Sequence, residues 1–110
     1  MRTNLETQIF MESKDRWGIE RQIMILAEES AELSVASHHL CRENKDKNEA
    51  MANFAEEIAD VEFMIAEMRY YFPELDAKIM EYRLAKANRI DLYLQTHPTV
   101  SSKLGEDKQP

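Results

Sequence analysis

A seven-residue pattern of acidic and apolar residues occurs twice in this chain, 28 positions apart. The copies are Ala27–Leu33 and Ala55–Val61, and each has acids at its second, third and sixth positions. Acids three positions apart share one side of a helix, whereas sequence neighbours do not. The same-side pairs are Glu29 with Glu32 and Glu57 with Asp60.

Carboxylates crowded on a half-apolar helix face are costly unless a positive group lies between them, and that group is usually a divalent metal ion. On one straight helix the two pairs would be about 42 Å apart. In an antiparallel hairpin they would face each other if the chain reversed midway, where residues 42–49 have no apolar side chain. Asp46 and Glu49 also form the pattern of a capping box that starts a helix. The sequence therefore predicts one four-carboxylate cluster between two antiparallel helices.

Helical periodicity of the apolar residues predicts an all-α fold. Trp17-Gly18 interrupts the first helix, and Pro73 ends the third and can open the fourth. The predicted helices cover residues 3–16, 19–41, 47–72 and 74–95. We expect residues 1–95 to form one domain and residues 96–110, which lack periodicity, to form a flexible tail. The later helices are apolar over more than one stripe, which predicts a homodimer or homotetramer.

Charge and cysteine content disfavour several classes of protein. The chain has 14 Lys and Arg against 21 Asp and Glu, a net charge of −7. A nucleic acid polymer is therefore not an expected partner, because phosphates require a basic face. The single cysteine, Cys41, allows no internal disulfide and is typical of a reducing compartment. No apolar run has the length of a membrane span or a signal peptide, so we expect a cytoplasmic protein without a membrane partner.

Together with the preceding Trp17-Gly18-x-x-x-Gln22, the acidic motifs resemble those of the MazG-like all-α nucleoside triphosphate pyrophosphohydrolases. The family pattern, Glu-Glu-x-x-Glu and then Glu-x-x-Asp after a loop, matches Glu28–Glu32 and Glu57–Asp60. The likeness covers about residues 17–90. It implies a four-helix MazG-like bundle that cleaves a ribo- or deoxynucleoside triphosphate between its α and β phosphates. The products would be the monophosphate and pyrophosphate, in the control or clearance of the nucleotide pool.

The resemblance also implies roles for individual residues. The cofactor would be Mg²⁺ or Mn²⁺, held by Glu29, Glu32, Glu57 and Asp60. All-oxygen ligands such as these select hard cations rather than Zn²⁺. Glu28 would orient or deprotonate the attacking water. A basic stretch on the last predicted helix would bind the phosphates through Arg83, Lys86 and Arg89.

Other residues share the helix faces of these ligands and are candidates for a base or sugar pocket. Gln22 and His39 lie two turns from the acids of the second predicted helix, and Asn53 and Met64 lie one turn from those of the third. For His39 a plain polar role near the helix end is the commoner alternative. Trp17 could stack on a base, although such a residue is more often a core anchor.

Three other interpretations compete with this assignment. The acids could form a solvated face, but the positions four residues away from them are mostly apolar rather than basic. A ferritin-like di-iron bundle needs Glu-x-x-His on two helices, and this motif is absent. A non-catalytic helical oligomerisation or regulatory module of the same fold stays open.

Overall fold

A computed structural model describes residues 3–42 and 46–97, and within these ranges the chain forms helices and no strand. The helices are α1 (Asn4–Trp17), α2 (Ile19–Leu40), α3 (Lys47–Tyr71) and α4 (Leu75–Thr96). The predicted all-α class is confirmed, and every predicted helix boundary lies within one residue of the observed one. In the described ranges no helix has both the length and the apolar character needed to cross a membrane. Of the predicted tail, residues 98–110 lie outside the description.

The first helix begins and ends at residues with clear local reasons. The Thr3 hydroxyl accepts a hydrogen bond from the Glu6 N–H (3.0 Å), and the Glu6 carboxylate accepts one from the Thr3 N–H (3.3 Å). This capping box satisfies N–H groups that the first helical turn leaves without partners. Gly18 separates α1 from α2 with φ of 87° and ψ of 154°, a combination that is essentially restricted to glycine.

The end of α2 and the start of α3 are joined by side-chain contacts. The Asp46 carboxylate accepts hydrogen bonds from the N–H groups two and three residues on, at 3.0 and 3.3 Å, and so caps α3. The Lys47 ammonium donates to the backbone oxygens of Leu40 and Arg42, the latter at 2.8 Å. Residues 43–45, the centre of the predicted chain reversal, are outside the description.

The chain divides into two compact units, one up to Pro73 and one from Glu74. In the first unit α1, α2 and α3 all contact one another, and the contact between α2 and α3 is the most extensive. In the second unit α4 contains no buried residue. Several of its large apolar side chains are well exposed, at 66% for Tyr82 and 64% for Leu84. The predicted homo-oligomer stays a prediction.

The core of the first unit is centred on Phe10 of α1, which is completely buried. Its ring meets Phe63 edge to face with the centroids 5.1 Å apart, and Tyr70 lies at 5.9 Å. Both partners are on α3, so these aromatic contacts fix α1 against that helix. The other buried apolar residues are Ala36, Ala50, Met64 and Met68.

A buried polar network joins all three helices of this unit. Gln22 on α2 donates from Nε2 to the Glu67 carboxylate on α3 at 2.9 Å, and both side chains are buried. The Tyr71 hydroxyl contacts the same carboxylate and also the backbone oxygen of Phe10 at 2.9 Å. Burial, the hydrogen bond to Glu67 and its charge raise the pKa of Tyr71. The hydroxyl therefore stays protonated and can donate its one proton to either of these acceptors.

Candidate metal centre

The two acidic motifs bring four carboxylates together between α2 and α3. One oxygen from each carboxylate lies within 4.8 Å of the corresponding oxygen of the others. Three of these residues are half-buried and Glu32 is exposed. Each helix contributes a pair spaced three residues apart, so both members of a pair point to the facing helix. The four residues are Glu29, Glu32, Glu57 and Asp60.

The buried network and the carboxylate cluster both require the same alignment of α2 along α3. Gln22 lies seven residues before Glu29, and Glu67 lies seven residues after Asp60. Seven residues are about two helical turns, roughly 10.5 Å along the same face. Because a slipped register would leave the buried Glu67 carboxylate without its amide donor, the hydrogen bond from Gln22 favours the register in which the acids meet.

The site is electrostatically strained without a cation. Burial, the negative charges of the neighbouring acids and a hydrogen bond with Glu32 that needs a proton all raise the pKa of Glu29. Burial raises the pKa of Glu57 in the same way, together with the charges of Glu32 and Asp60. The Oε2 atoms of Glu29 and Glu57 are inaccessible to solvent, and no hydrogen-bond donor reaches them. Buried carboxylate oxygens without a donor are costly for the folded state.

These features distinguish the cluster from an ordinary acidic surface. On such a surface each acid has a lysine or arginine partner one turn away, as Glu12 has in Arg16 at 2.7 Å. In the ranges that the structure describes, no basic side chain forms an ion pair with the four clustered acids. The largest influences on the pKa of Glu29 and Glu57 all raise it, so burial and the neighbouring negative charges dominate at these two carboxylates.

The donor set fits a hard divalent cation. Oxygens on opposite sides of one Mg²⁺ ion are about 4.2 Å apart, since each lies about 2.1 Å from the metal. The observed limit of 4.8 Å needs only a small inward movement of the carboxylates. The cluster contains no histidine or cysteine, which favours Mg²⁺ or Mn²⁺ over softer transition metals.

The predicted pocket residues separate into different environments. His39 and Asn53 line one cavity of about 240 Å³ where α2 ends and α3 begins. Gln22 and Met64 are instead buried, Gln22 in the polar network and Met64 in the core. Trp17 is 54% exposed, so it is not the core anchor that was the alternative to base stacking.

Two further predicted groups lie outside the carboxylate cluster. Glu28 directly precedes the first ligand candidate on α2 and is exposed. Arg83 and Lys86 flank an open strip on the surface of α4 whose other residues are mostly apolar. Arg89 is exposed. Because α4 belongs to the second compact unit, phosphate binding by these three basic residues stays a prediction.

Sequence reasoning gave no place in a site to two acids, and it named one of them, Glu49, only as part of a helix cap. Glu67 is completely buried beside Gln22, and Glu49 lines the cavity with Asn53. A signal for each was present in the helical spacing. Glu67 follows Asp60 by seven residues, and Glu49 precedes Asn53 by four, so both lie on the faces that carry the clustered acids.

The raised pKa values predict how the stability of the metal-free protein depends on pH. Folded Glu29 and Glu57 bind a proton more readily than they do in the unfolded chain, where the pKa is about 4.5. The free energy of unfolding should therefore increase as the pH falls through the raised values toward 4.5, and be lowest above them. Thermal unfolding followed by circular dichroism measures this dependence. Glu57→Gln should weaken this pH dependence, whereas the exposed control Glu62→Gln should leave it unchanged. Equal pH dependence in both variants would contradict the role of Glu57 in the strained cluster.

Magnesium should raise the melting temperature most at neutral pH, because protons compete with the metal for the same carboxylates. The expected stabilisation is about 2.7 kcal/mol when free Mg²⁺ is about 100 times its Kd. Sodium chloride at equal ionic strength is the control, since it screens charge without coordination. Equal melting temperatures in the two salts at neutral pH would argue against a metal centre.

The family resemblance depends on the motifs of the chain itself. Comparison with models of protein families, with curated proteins and with solved structures finds no match. Membership of the MazG-like enzymes therefore stays a prediction, based on Trp17-Gly18-x-x-x-Gln22 and the two acidic motifs.

Proposed function

We propose that this protein is a Mg²⁺- or Mn²⁺-dependent nucleoside triphosphate pyrophosphohydrolase of the MazG-like type. The observation that carries the proposal is the convergence of four carboxylates from two helices, two of them with buried oxygens that lack a donor. Such a site gains most from a cation, and phosphate chemistry is the common use of carboxylate-bound Mg²⁺. The substrate would be a ribo- or deoxynucleoside triphosphate drawn from the nucleotide pool.

The arrangement that we infer is an antiparallel α2–α3 hairpin within a four-helix MazG-like bundle. Gln22, near the start of α2, bonds Glu67, near the end of α3. At the other end His39 and Ala50 line one cavity, which supports the same direction. The exposed apolar residues of α4 support completion of the bundle by one or more further copies of the chain.

The chemistry that we propose uses the four clustered acids, Glu28 beside them in sequence, and the basic residues of α4. A bound Mg²⁺ would neutralise phosphate charge and polarise the phosphorus under attack. Glu29, Glu32, Glu57 and Asp60 would hold it. Glu28, which directly precedes Glu29 in sequence and is exposed, would orient the attacking water and accept its proton. Arg83, Lys86 and Arg89 would offset the charge of the released pyrophosphate.

A non-catalytic oligomerisation or regulatory module is the second candidate function. The absence of any buried residue on α4 favours it, because a helix of this kind needs a partner surface. This candidate leaves the strained carboxylates of α2 and α3 without a role. It predicts no turnover of any nucleotide.

Product identification tests the proposed function. The full chain is incubated with Mg²⁺ and each of the four ribo- and four deoxynucleoside triphosphates, and the products are separated by anion-exchange chromatography. We expect the nucleoside monophosphate and pyrophosphate in equal amounts, and no products when the metal is chelated. Release of a nucleoside diphosphate and phosphate would place the cleavage at another bond. Absence of turnover with all eight nucleotides would favour the regulatory module.

A further inference from the structure

A cavity of about 240 Å³ lies between the end of α2 and the beginning of α3. Asn53 in its wall is four residues before Glu57, one helical turn away, and His39 is seven residues after Glu32, two turns away. The cavity therefore adjoins the carboxylate cluster on the same two helix faces. Among the described residues, its lining includes His39, Asp46, Glu49, Ala50 and Asn53.

The size of the cavity suits one part of a nucleotide. Pockets that enclose a whole small ligand usually have volumes of about 300–1,000 Å³. A cavity of about 240 Å³ can instead hold the base while the phosphates extend outside it. The carboxylate cluster lies one turn beyond Asn53, where a metal-bound triphosphate would be.

Acceptors predominate among the polar groups of the cavity, where the carboxylates of Asp46 and Glu49 lie with the amide of Asn53 and the imidazole of His39. Asp46 uses its carboxylate to cap α3. Glu49 and Asn53 are one turn apart on α3 and are both exposed. An ionised carboxylate only accepts hydrogen bonds, whereas an amide both donates and accepts. The pair therefore matches a base edge that presents an amino group to Glu49 and a ring nitrogen to Asn53.

We propose that this cavity selects nucleotides whose base has an exocyclic amino group, and that Glu49 is the residue that recognises this group. The inference rests on the proposed function, since it assigns the base site of the same substrate. Cytosine and adenine present an amino group beside an acceptor nitrogen, and guanine presents an amino group beside a ring N–H. Uracil and thymine would direct a carbonyl oxygen at the Glu49 carboxylate, which leaves two acceptors facing each other.

Cytosine and uracil form the sharpest test, because they differ in an amino group against a carbonyl oxygen with almost the same ring shape. We expect kcat/KM for dCTP to exceed that for dUTP by about 10- to 100-fold, the range that a hydrogen bond to a charged group supports. Parallel reactions with dATP and dGTP show whether the larger amino-bearing rings enter as well. Isothermal titration of dCMP and dUMP measures the same preference without catalysis.

A variant at the recognising residue isolates its contribution. Glu49→Gln replaces a pure acceptor with an amide that can also donate to the uracil oxygen, so the dCTP-to-dUTP ratio should fall to near one or invert. Glutamine also suits this position of a helix, and an unchanged melting temperature confirms the fold. Glu62→Gln, an exposed acid of the same helix, is the matched control and should keep the ratio.

The outcomes separate this inference from the proposed function. Equal turnover of dCTP and dUTP overturns base selection and leaves pyrophosphohydrolase activity standing. A preference that survives Glu49→Gln overturns the role of Glu49. Absence of turnover with tighter binding of dCMP than dUMP overturns the proposed activity but supports the selective cavity. Absence of both turnover and binding preference overturns both.

Discussion

Replacing Glu29 with glutamine should lower the turnover of nucleoside triphosphates by at least about 100-fold. Substituting a residue that only hydrogen-bonds to a metal ligand already costs about 10- to 100-fold in metal affinity or activity, and Glu29 would be a ligand itself. The same substitution should raise the melting temperature of the metal-free protein. The raised pKa of Glu29 means that its ionised form destabilises the folded state at neutral pH, and the amide removes that charge from a crowded site. The stabilisation by Mg²⁺ should also become smaller. Turnover assays and thermal unfolding with and without Mg²⁺ measure all three effects.

The opposite signs of these effects make the result specific. A residue needed only for folding would lose activity and stability together, whereas a metal ligand loses activity while the metal-free fold becomes more stable. Asp60→Asn should also lose turnover and the stabilisation by Mg²⁺. Glu62→Gln, which makes the same chemical change at an exposed position of α3, should alter neither property. Near-normal turnover in Glu29→Gln would remove this residue from the ligand set.

Replacing Phe10 with alanine should lower the free energy of unfolding by about 3–5 kcal/mol, the usual cost of deleting a buried aromatic ring. Phe10 is completely buried, and its ring packs against Phe63 and Tyr70. The loss is large for a small domain, whose total stability is about 5–15 kcal/mol. Urea denaturation followed by circular dichroism measures the change.

The neighbouring position provides the control for this substitution. Met11→Ala shortens a side chain on the same helix that is 52% exposed, and the expected change is within about 1 kcal/mol. A similar small loss in Phe10→Ala would show that α1 contributes little to the core of this unit. Hydrogen exchange would then show α1 exchanging faster than α2 and α3.

The boundaries of the helices could be predicted from the sequence because residues close to each boundary determine it. Thr3 and Glu6 form a capping box at the start of α1, Gly18 ends that helix, and Asp46 caps α3. Each signal acts within three or four positions, so it can be read without knowledge of the tertiary structure. The two acidic motifs are equally local, and their position on either side of an apolar-free segment predicted that they meet.

The buried network could not be predicted in the same way. Gln22 and Glu67 are 45 positions apart, and Tyr71 reaches Phe10 across 61 positions. A glutamate on an amphipathic helix is usually exposed, so its type gives no sign of burial. The sequence analysis made Gln22 and Asn53 pocket candidates only because each shares a helix face with the clustered acids. Burial beside Glu67 distinguishes Gln22 from the exposed Asn53 at the cavity.

The backbone angles of Gly18 determine which chirality of residue could replace it. It is the one residue with positive φ in the ranges that the structure describes, and a methyl group added there would meet nothing within 4 Å. Space is therefore available, and the obstacle to a side chain is chirality alone. A mirror-image residue, such as D-alanine introduced by chemical synthesis, would favour the backbone angles that L-alanine resists. It would also reduce the number of conformations open to the unfolded chain, which glycine leaves large.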